Sequence, residues 1–309
     1  MTKFIIRRLI GLVPTLFIII TLSFFIVRVA PGGPFDRDKR LPPEIMKNIE
    51  AKYHLDDPLI VQYGRYLFNI IRGDLGPSFA YHDHDVNYFI AHSLPKSLIL
   101  GSLTLVCAVI LGIGVGMISA LKQNGWPDYT AMSIAVFGIT VPNFVVGPVL
   151  MYFFALKLGW LPTSGWITGR LGWVTIIMPL ITLTLPYFAY IARLSRASIL
   201  EVLRSDYIRT ARAKGMKDSV ILFKHVLKGA LLPVVSYLGP AFAGIITGSV
   251  VVERIFRIPG LGQFFVQSAF NRDYTLLMGT VIVYSAILIL MNFIVDIVYG
   301  YLDPRISYS

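Results

Sequence analysis

Charged residues are scarce in this sequence: only 15% of its 309 residues are Asp, Glu, Lys or Arg, whereas 55% are hydrophobic. Soluble domains carry roughly 25% charged residues, and their cores stop growing at a few hundred residues. A soluble fold of this length could not bury so much apolar surface. The lipid bilayer must therefore be the solvent for much of the chain.

Cysteine and phosphate-binding motifs are also lacking. The sequence has one cysteine, Cys107, which lies in an apolar run. Because a disulfide within the chain needs two cysteines, an internal disulfide is excluded. No Gly-Lys dipeptide occurs, so a phosphate-cradling loop of the G-x-x-x-x-G-K type is excluded. No nucleophile–base constellation indicates catalysis, and His82, His84 and His92 lack the full ligand set of a metal site. We expect no catalytic residue, no metal and no cofactor bound by this chain.

Six long apolar runs predict an all-α integral membrane protein with six transmembrane helices. Each run approaches or exceeds the roughly 20 residues that a helix needs to cross the hydrocarbon. The spans must be helices because lipid offers no hydrogen-bond partner to backbone groups. The predicted spans are 9–27, 97–121, 130–156, 171–192, 230–252 and 275–302. The first is too long for a signal-peptide core and lacks a cleavage site, which favours a retained helix.

The apolar runs divide the chain into four parts. Residues 1–30 hold the N-terminus and the first helix, and 31–96 form an external helical insert. Residues 97–302 form a core of five helices with a loop at 194–229, and 303–309 are a tail. Helical spacing of apolar residues predicts short helices at 43–53, between Pro58 and Gly73, and after the turn at Pro259-Gly260.

Positive charge indicates which side of the membrane is cytoplasmic. The net charge is +11, and Lys and Arg concentrate in the N-terminus and in the loop 194–229. Counting helices places the N-terminus and this loop on one side of the membrane, which the positive-inside rule makes cytoplasmic. Six spans then place both termini in the cytoplasm. No basic stripe interleaved with aromatic residues indicates nucleic-acid binding.

The loop 194–229 is too long for a plain connection. Helical spacing of apolar residues on both sides of Gly215 predicts a two-helix hairpin, because glycine adopts a left-handed turn at little cost. The apolar residues before the turn include Ile199, Val202 and Leu203. A basic hairpin can anchor on anionic lipid or dock on a cytoplasmic partner, and its charge alone does not decide between them.

The hairpin contains Tyr207-Ile208-Arg209-Thr210-Ala211-Arg212-Ala213-Lys214-Gly215. This stretch resembles the cytoplasmic-loop signature of permease subunits of ATP-binding-cassette importers, in the variant of the peptide and nickel branch. Arg209 and Thr210 stand where the general signature has Glu and Ala. Similar stretches at Ile246–Glu253 and Asp303-Pro304-Arg305 extend the resemblance nearly end to end. Within the branch, the insert is most similar to that of the oligopeptide permeases.

The resemblance implies a type I importer permease fold and a pore subunit that translocates oligopeptides by alternating access. The implied partners are a second homologous permease, two cassette ATPase subunits that bind ATP and Mg, an extracytoplasmic peptide-binding protein and the lipid of a bacterial inner membrane. The implied ATPase-coupling residues are Tyr207, Arg209, Thr210, Ala211, Arg212, Ala213, Lys214 and Gly215. The cargo could instead be a dipeptide, a nickel chelate or another small solute. A membrane receptor or scaffold without transport is the third hypothesis.

Polar and helix-breaking residues inside the spans are candidates for the translocation path or a gate. Pro142 removes a backbone hydrogen bond, and Asn143 must face protein or water near mid-span. Ser249 and Glu253 lie toward the outer end of the fifth span. Asp296 is the only acid well inside an apolar run, although its place toward the cytoplasmic end favours a structural role.

Small residues in two spans predict close helix packing. Gly112, Gly114 and Gly116 lie in the second span, and Gly244 and Gly248 form a G-x-x-x-G pair in the fifth. Such spacing lets helix backbones approach closely, and packing inside one bundle is favoured over a partner interface.

Overall fold

The computed structural model describes residues 2–29, 51, 53–81, 83–167, 169 and 172–302. These residues are helical apart from turns, connecting loops and an isolated bridge between Pro77 and Asp85. The all-α prediction is therefore confirmed. The helices are α1 (Thr2–Val29), α2 (Leu59–Ile71), α3 (Val86–Leu121), α4 (Trp126–Thr140), α5 (Asn143–Leu150), α6 (Ile177–Leu203), α7 (Asp206–Ala213), α8 (218–230), α9 (Leu232–Ile255), α10 (Leu261–Asn271) and α11 (Tyr274–Leu302).

Two π-helical segments and one 3₁₀ turn adjoin or interrupt these helices. A π-helical segment, Met151–Lys157, continues α5, and a 3₁₀ turn, Gly172–Ile176, precedes α6. In α8, the turns Asp218–Val220, Ile221–Val226 and Leu227–Ala230 follow one another, and the middle one is π-helical.

Five of the described helices are long and apolar enough to cross a membrane, and a bent pair makes a sixth candidate span. The bent pair consists of α4 and of α5 with its π-helical continuation, which meet at 104°. Val141 takes an extended conformation with ψ 118°. The following residue is Pro142, and a residue before proline avoids the helical region. The span predicted as one run at 130–156 is therefore broken at the proline.

Two helices extend beyond the apolar runs that predicted them. Helix α3 begins at Val86 rather than at residue 97, and α6 continues to Leu203 rather than ending at 192. Charged residues such as Lys96 and Arg196 interrupt the apolar run without interrupting the helix. Hydropathy marks where lipid contact ends, whereas a helix continues as long as its own hydrogen bonds do.

The described residues fall into two compact units. Those of Ile10–Ser97 and Gly260–Ala286 form one, which we call the insert unit. Those of Met1–Leu9, Leu98–Pro259 and Ile287–Ser309 form the other, which we call the bundle unit.

Helix α6 lies at the centre of the bundle unit and packs against α4, α5, α8 and α9. Its Met178 and Leu183 are buried with Leu100 of α3 and with Ile245 and Val252 of α9. These side chains form an apolar core. The outward faces of the spanning helices are apolar as well, which is expected of a surface that contacts lipid.

Glycines bring α3 against α6, as predicted for packing inside one bundle. A Cβ on Gly116 would lie 2.6 Å from the carbonyl oxygen of Ala192 and 2.7 Å from Cβ of Ser195. A Cβ on Gly112 would lie 2.7 Å from Cγ2 of Ile191. Only residues without a side chain permit this approach.

The other glycines of the two predicted sets differ in what they contact. Gly114, on the same helix α3, has nothing within 4 Å of its Cβ position. Gly244 on α9 lies against the Tyr187 hydroxyl of α6, 2.9 Å from its Cβ position, and Gly248 lies 3.8 Å from the same hydroxyl.

The insert unit has aromatic clusters at its core. Phe24 of α1 is fully buried with Phe79, Tyr274 and Met278, and α2 adds Tyr63 and Tyr66 at the edge of this cluster. A second cluster joins the start of α3 to α10 and α11 through Val86, Phe89, Ile90, Leu261 and Leu276.

The predicted short helices of the outer segments are present where the structure describes them. Helix α2 begins after Pro58 and ends before Gly73, whose φ is +77°. Helix α10 begins directly after Gly260. The helix predicted at 43–53 lies outside the described residues apart from Ala51 and Tyr53.

The Gly116→Ala variant tests the contact between α3 and α6. The new methyl group would meet backbone and force the helices apart, so we expect the free energy of unfolding to fall by about 1–3 kcal/mol. Gly114→Ala is the matched control, because it adds the same group to the same helix in open space. We expect the control to be neutral or slightly stabilising. Unfolding of the purified chain in detergent micelles measures both, and equal behaviour of the two variants would contradict the packing argument.

Candidate functional site

The candidate site is the basic hairpin, which we define as residues 206–230, comprising α7, the turn at Gly215 and α8. Its first arm begins where the extended backbone of Ser205 interrupts the helix. Ile199, Val202 and Leu203, predicted to belong to this arm, instead form the end of α6. Asp206 follows in the first turn of α7, where a negative charge is favourable to the helix dipole.

Gly215 ends the first arm with a hydrogen-bonded turn. Its φ is +74°, and its N–H donates to the carbonyl oxygen of Arg212 at 2.9 Å. The N–H of Met216 donates to the carbonyl oxygen of Ala211 at 3.3 Å. This pair of bonds is a Schellman motif, which needs a left-handed residue at the position of Gly215. The turn expected from the sequence is therefore present and is built on glycine.

The base of the hairpin is apolar and buried. Ile208 and Ala211 of α7 pack with Ile221 of α8, Ile199 of α6 and Ala120 of α3. The two arms also meet at Tyr207, whose hydroxyl lies 3.5 Å from the Cβ position of Gly229. The hairpin is therefore seated on the bundle unit by hydrophobic contacts.

The opposite face of the hairpin is exposed and basic. All of the predicted coupling residues except Ala211 lie on it: Tyr207, Arg209, Thr210, Arg212, Ala213, Lys214 and Gly215. Phe223 of α8 adds an apolar side chain that is 64% exposed. A large exposed aromatic ring beside exposed cations is typical of a surface that a partner covers.

Acidic residues on the hairpin neutralise little of this charge. Arg209 lies 2.6 Å from Asp206, but the two side chains are 83% and 88% exposed. Arg212 lies 3.7 Å from Asp218, and both side chains are again largely exposed. Such surface ion pairs contribute about 0–1 kcal/mol, so the cations stay available to a partner.

An ion pair with a buried carboxylate lies beside the hairpin and was not predicted. Arg196 of α6 donates from Nε and Nη2 to the two carboxylate oxygens of Asp128 in α4, both at 2.7 Å. Asp128 also accepts hydrogen bonds from the Ser119 hydroxyl of α3 and from the N–H of Asn124 at 2.9 Å. The side chain of Asp128 is only 4% exposed. Three helices therefore meet at one carboxylate.

A signal for this network was present in the sequence. Asp128 is an acid in the first turn of a span, and Arg196 is a cation near the end of another on the same predicted side. Their pairing could not be read from the sequence because sixty-eight residues separate them.

The structure places the candidate path residues in different environments. Pro142 is exposed at the break between α4 and α5, and Asn143, the first residue of α5, is half-buried. Ser249 and Glu253 are buried on α9, where the Ser249 hydroxyl lies 2.8 Å from Oε1 of Glu253. Asp296 is half-buried on α11. The part that these five residues play in a path or gate stays a prediction.

The described histidines of the insert contact a tyrosine. The ring of His84 stacks on Tyr88 with centroids 4.0 Å apart, and Nδ1 of His92 lies 2.8 Å from the Tyr88 carbonyl oxygen. Across the described residues, no group of three His, Cys, Asp or Glu side chains could hold a metal ion. His82 lies outside the described residues.

The helical arrangement is similar to that of a solved ABC transporter chain. A chain of the MetNI methionine ABC transporter, crystallised in inward-facing conformations, superposes with a TM-score of 0.58 at 20% identity. The match covers 70% of this chain and 97% of that chain. The fold is the one expected for type I importer permeases.

Residues 112–308 match the family described as the binding-protein-dependent transport system inner membrane component, and residues 1–100 match the N-terminal region of the membrane component of such systems. The chain belongs to this family. It is 53% identical to the oligopeptide transport system permease protein OppB of Escherichia coli (strain K12), with all of both chains covered. It is 45% identical to the dipeptide transport system permease protein DppB of Bacillus subtilis (strain 168), over 99% of this chain and 98% of that protein.

The Arg196→Gln variant tests the buried network. It leaves the Asp128 carboxylate without its cation, and breaking a buried pair costs about 3–5 kcal/mol. Arg209→Gln is the matched control, because it removes the same charge from an exposed pair and should cost about 1 kcal/mol or less. Denaturation of both purified variants measures the difference. Similar losses of stability would show that the network does not hold the three helices together.

Proposed function

We propose that this chain is one of two pore subunits of an ATP-driven importer that carries oligopeptides across a bacterial inner membrane. The observation that carries the proposal is the basic hairpin, an exposed cationic surface on a buried apolar base in a chain of this family. Identity to OppB over the full length supports oligopeptides as the cargo.

In the proposed mechanism, a cytoplasmic ATPase contacts the exposed face of the hairpin. The contact surface consists of Tyr207, Arg209, Thr210, Arg212 and Lys214. Ala213 lies among them, and Ala211 supports them from the buried side. ATP and Mg bind to the ATPase, since the chain has no phosphate-binding loop of its own. Nucleotide binding shifts the pore between two conformations only if the ATPase binds the hairpin more tightly in one of them.

The buried network explains how a movement of the hairpin would reach the spans. The apolar base attaches the hairpin to α6 and α3, and the Arg196–Asp128 pair attaches α6 to α4. Elements joined in this way move together, because packed interfaces resist gradual deformation. A force on α7 would therefore displace several spans at once.

The proposed assembly has five further components. A second homologous permease completes the pore, two cassette ATPase subunits bind the cytoplasmic side, an extracytoplasmic binding protein delivers the peptide, and lipid surrounds the spans. In this assembly the present chain is not itself an enzyme.

In the proposed orientation both termini and the hairpin lie in the cytoplasm, as the positive-inside rule indicates, and exposed tryptophans mark the ends of one span. Trp126 is exposed at the start of α4, while Trp160 and Trp173 are exposed in the segment between α5 and α6. Indole rings favour the interface between membrane and water. If α4 and α5 form one span, the three tryptophans mark its two opposite ends.

The hairpin is tested by Gly215→Val, which disfavours the left-handed turn by about 1 kcal/mol or more. We expect the reconstituted importer to lose peptide-stimulated ATP hydrolysis while the chain still inserts. Gly215→Asn should retain most of the coupling, because asparagine tolerates this conformation.

Gly159→Val is the matched control for backbone strain. Gly159 has a φ of +65° and open space around it, as Gly215 does, but lies in the segment after α5. We expect this variant to hydrolyse ATP in response to peptide as the unmodified chain does. Normal stimulation in Gly215→Val would refute the assigned role of the hairpin.

The cargo is tested by uptake of labelled tri- to pentapeptides in cells that lack this chain and all other peptide importers. We expect restoring the chain with its partners to restore uptake of these peptides. Labelled dipeptide is the comparison, because the 45% identity to DppB makes a dipeptide the second candidate. Uptake of dipeptide alone would reassign the cargo without changing the mechanism.

A further inference from the structure

Arg28, near the end of α1, brings a positive charge into the insert unit that no described carboxylate neutralises. Its Nε and Nη2 donate to Oε1 of Gln62 at 3.1 and 3.0 Å, and its guanidinium lies 3.7 Å from the ring centroid of Phe24. Its Nη1 is buried and has no hydrogen-bond partner. In the part of the chain that the structure describes, no carboxylate forms an ion pair with Arg28.

The guanidinium is held in place by a residue that is itself fixed. Gln62 is buried, and its Nε2 donates to the carbonyl oxygens of Leu55 and Asp57 at 2.9 and 2.8 Å. These two bonds orient the amide so that its oxygen faces Arg28. The amide satisfies one edge of the guanidinium but leaves its charge unbalanced.

Tyr66 of α2 presents a second unused donor beside Arg28. Its ring packs on the same Phe24, with centroids 5.6 Å apart, and its buried hydroxyl has no hydrogen-bond partner. Burial raises the pKa of the Tyr66 hydroxyl, against the opposing effect of nearby Arg28. The hydroxyl is therefore protonated and able to donate throughout the physiological pH range.

Both side chains line a cavity of about 180 Å³ in the insert unit. His54, Arg65, Asn69 and Phe79 also line it, and none of its described lining residues is acidic. One water needs about 10–15 Å³ of such volume, so the cavity has room for a small organic group. Water could satisfy the two donors, but it would leave the guanidinium charge unbalanced, which is unfavourable for a cation that is partly removed from solvent.

We propose that this cavity is a binding site for the free carboxylate of a small solute. Nη1 of Arg28 donates to one carboxylate oxygen and the Tyr66 hydroxyl donates to the other, so two unused donors match two acceptors. The carboxylate chemistry follows from the cavity alone. The identification of the solute as a short peptide, bound by its C-terminus, rests on the proposed function.

The test uses the full chain in lipid nanodiscs without ATPases, so that its outcome does not depend on transport. Saturation-transfer NMR titrations measure binding of acetate, of tri-alanine and of tri-alanine amide, which lacks the terminal carboxylate. We expect acetate and tri-alanine to bind and the amide to bind at least about tenfold more weakly. Equal binding of tri-alanine and its amide would overturn the proposal.

Variants separate a ligand-binding role from a structural one. Tyr66→Phe should weaken tri-alanine binding about tenfold with the unfolding midpoint unchanged, because the lost hydroxyl has no partner in the folded chain. Arg28→Gln should remove detectable binding, since it removes the charge.

Tyr63→Phe is the matched control for the tyrosine. It deletes a hydroxyl from the same helix, but that hydroxyl lies 2.6 Å from Oγ1 of Thr21 and does not line the cavity. We expect Tyr63→Phe to lower the unfolding midpoint and to bind tri-alanine as the unmodified chain does. Unchanged binding by Tyr66→Phe would show that its hydroxyl does not hold the carboxylate, and would overturn the proposal. Failed peptide uptake alongside carboxylate binding would instead count against the proposed function.

Discussion

The bundle unit depends on the close approach of α3 and α6. Two glycines allow the helix backbones to meet, with the Cβ position of Gly116 only 2.6 Å from a carbonyl oxygen of α6. The contact places Ser119 near Asp128, the carboxylate that Arg196 also holds. It also places Ala120 under the hairpin. The basic hairpin therefore rests on the packing of α3 against α6.

The cations of the hairpin and Arg28 of the insert unit differ in their exposure to water. The hairpin cations are exposed, so water stabilises them. Arg28 is half-buried, and among the described residues an amide and an aromatic ring contact its guanidinium. An exposed cation is stable without a partner, whereas a cation partly removed from water is stabilised by a bound anion. The same residue type thus has different consequences in the two units.

Much of the candidate site could be predicted because its signals are local. The turn at Gly215 depends on one glycine and its neighbours, and α7 shows its buried face through Ile208 and Ala211 at helical spacing. The break at Pro142 is local as well, since proline restricts the residue before it. Helices α3 and α6 extend beyond the predicted spans, because hydropathy detects contact with lipid and not the continuation of a helix.

The sequence by itself determined the solvent, the helical class and the basic loop, because composition and the length of apolar runs are properties of single segments. Only the tertiary structure decided which charges are paired. Arg196 and Arg28 are both cations near the ends of predicted spans, yet one meets a carboxylate and the other meets Gln62. Their partners come from distant segments, and the energy of a charge depends on what surrounds it in space.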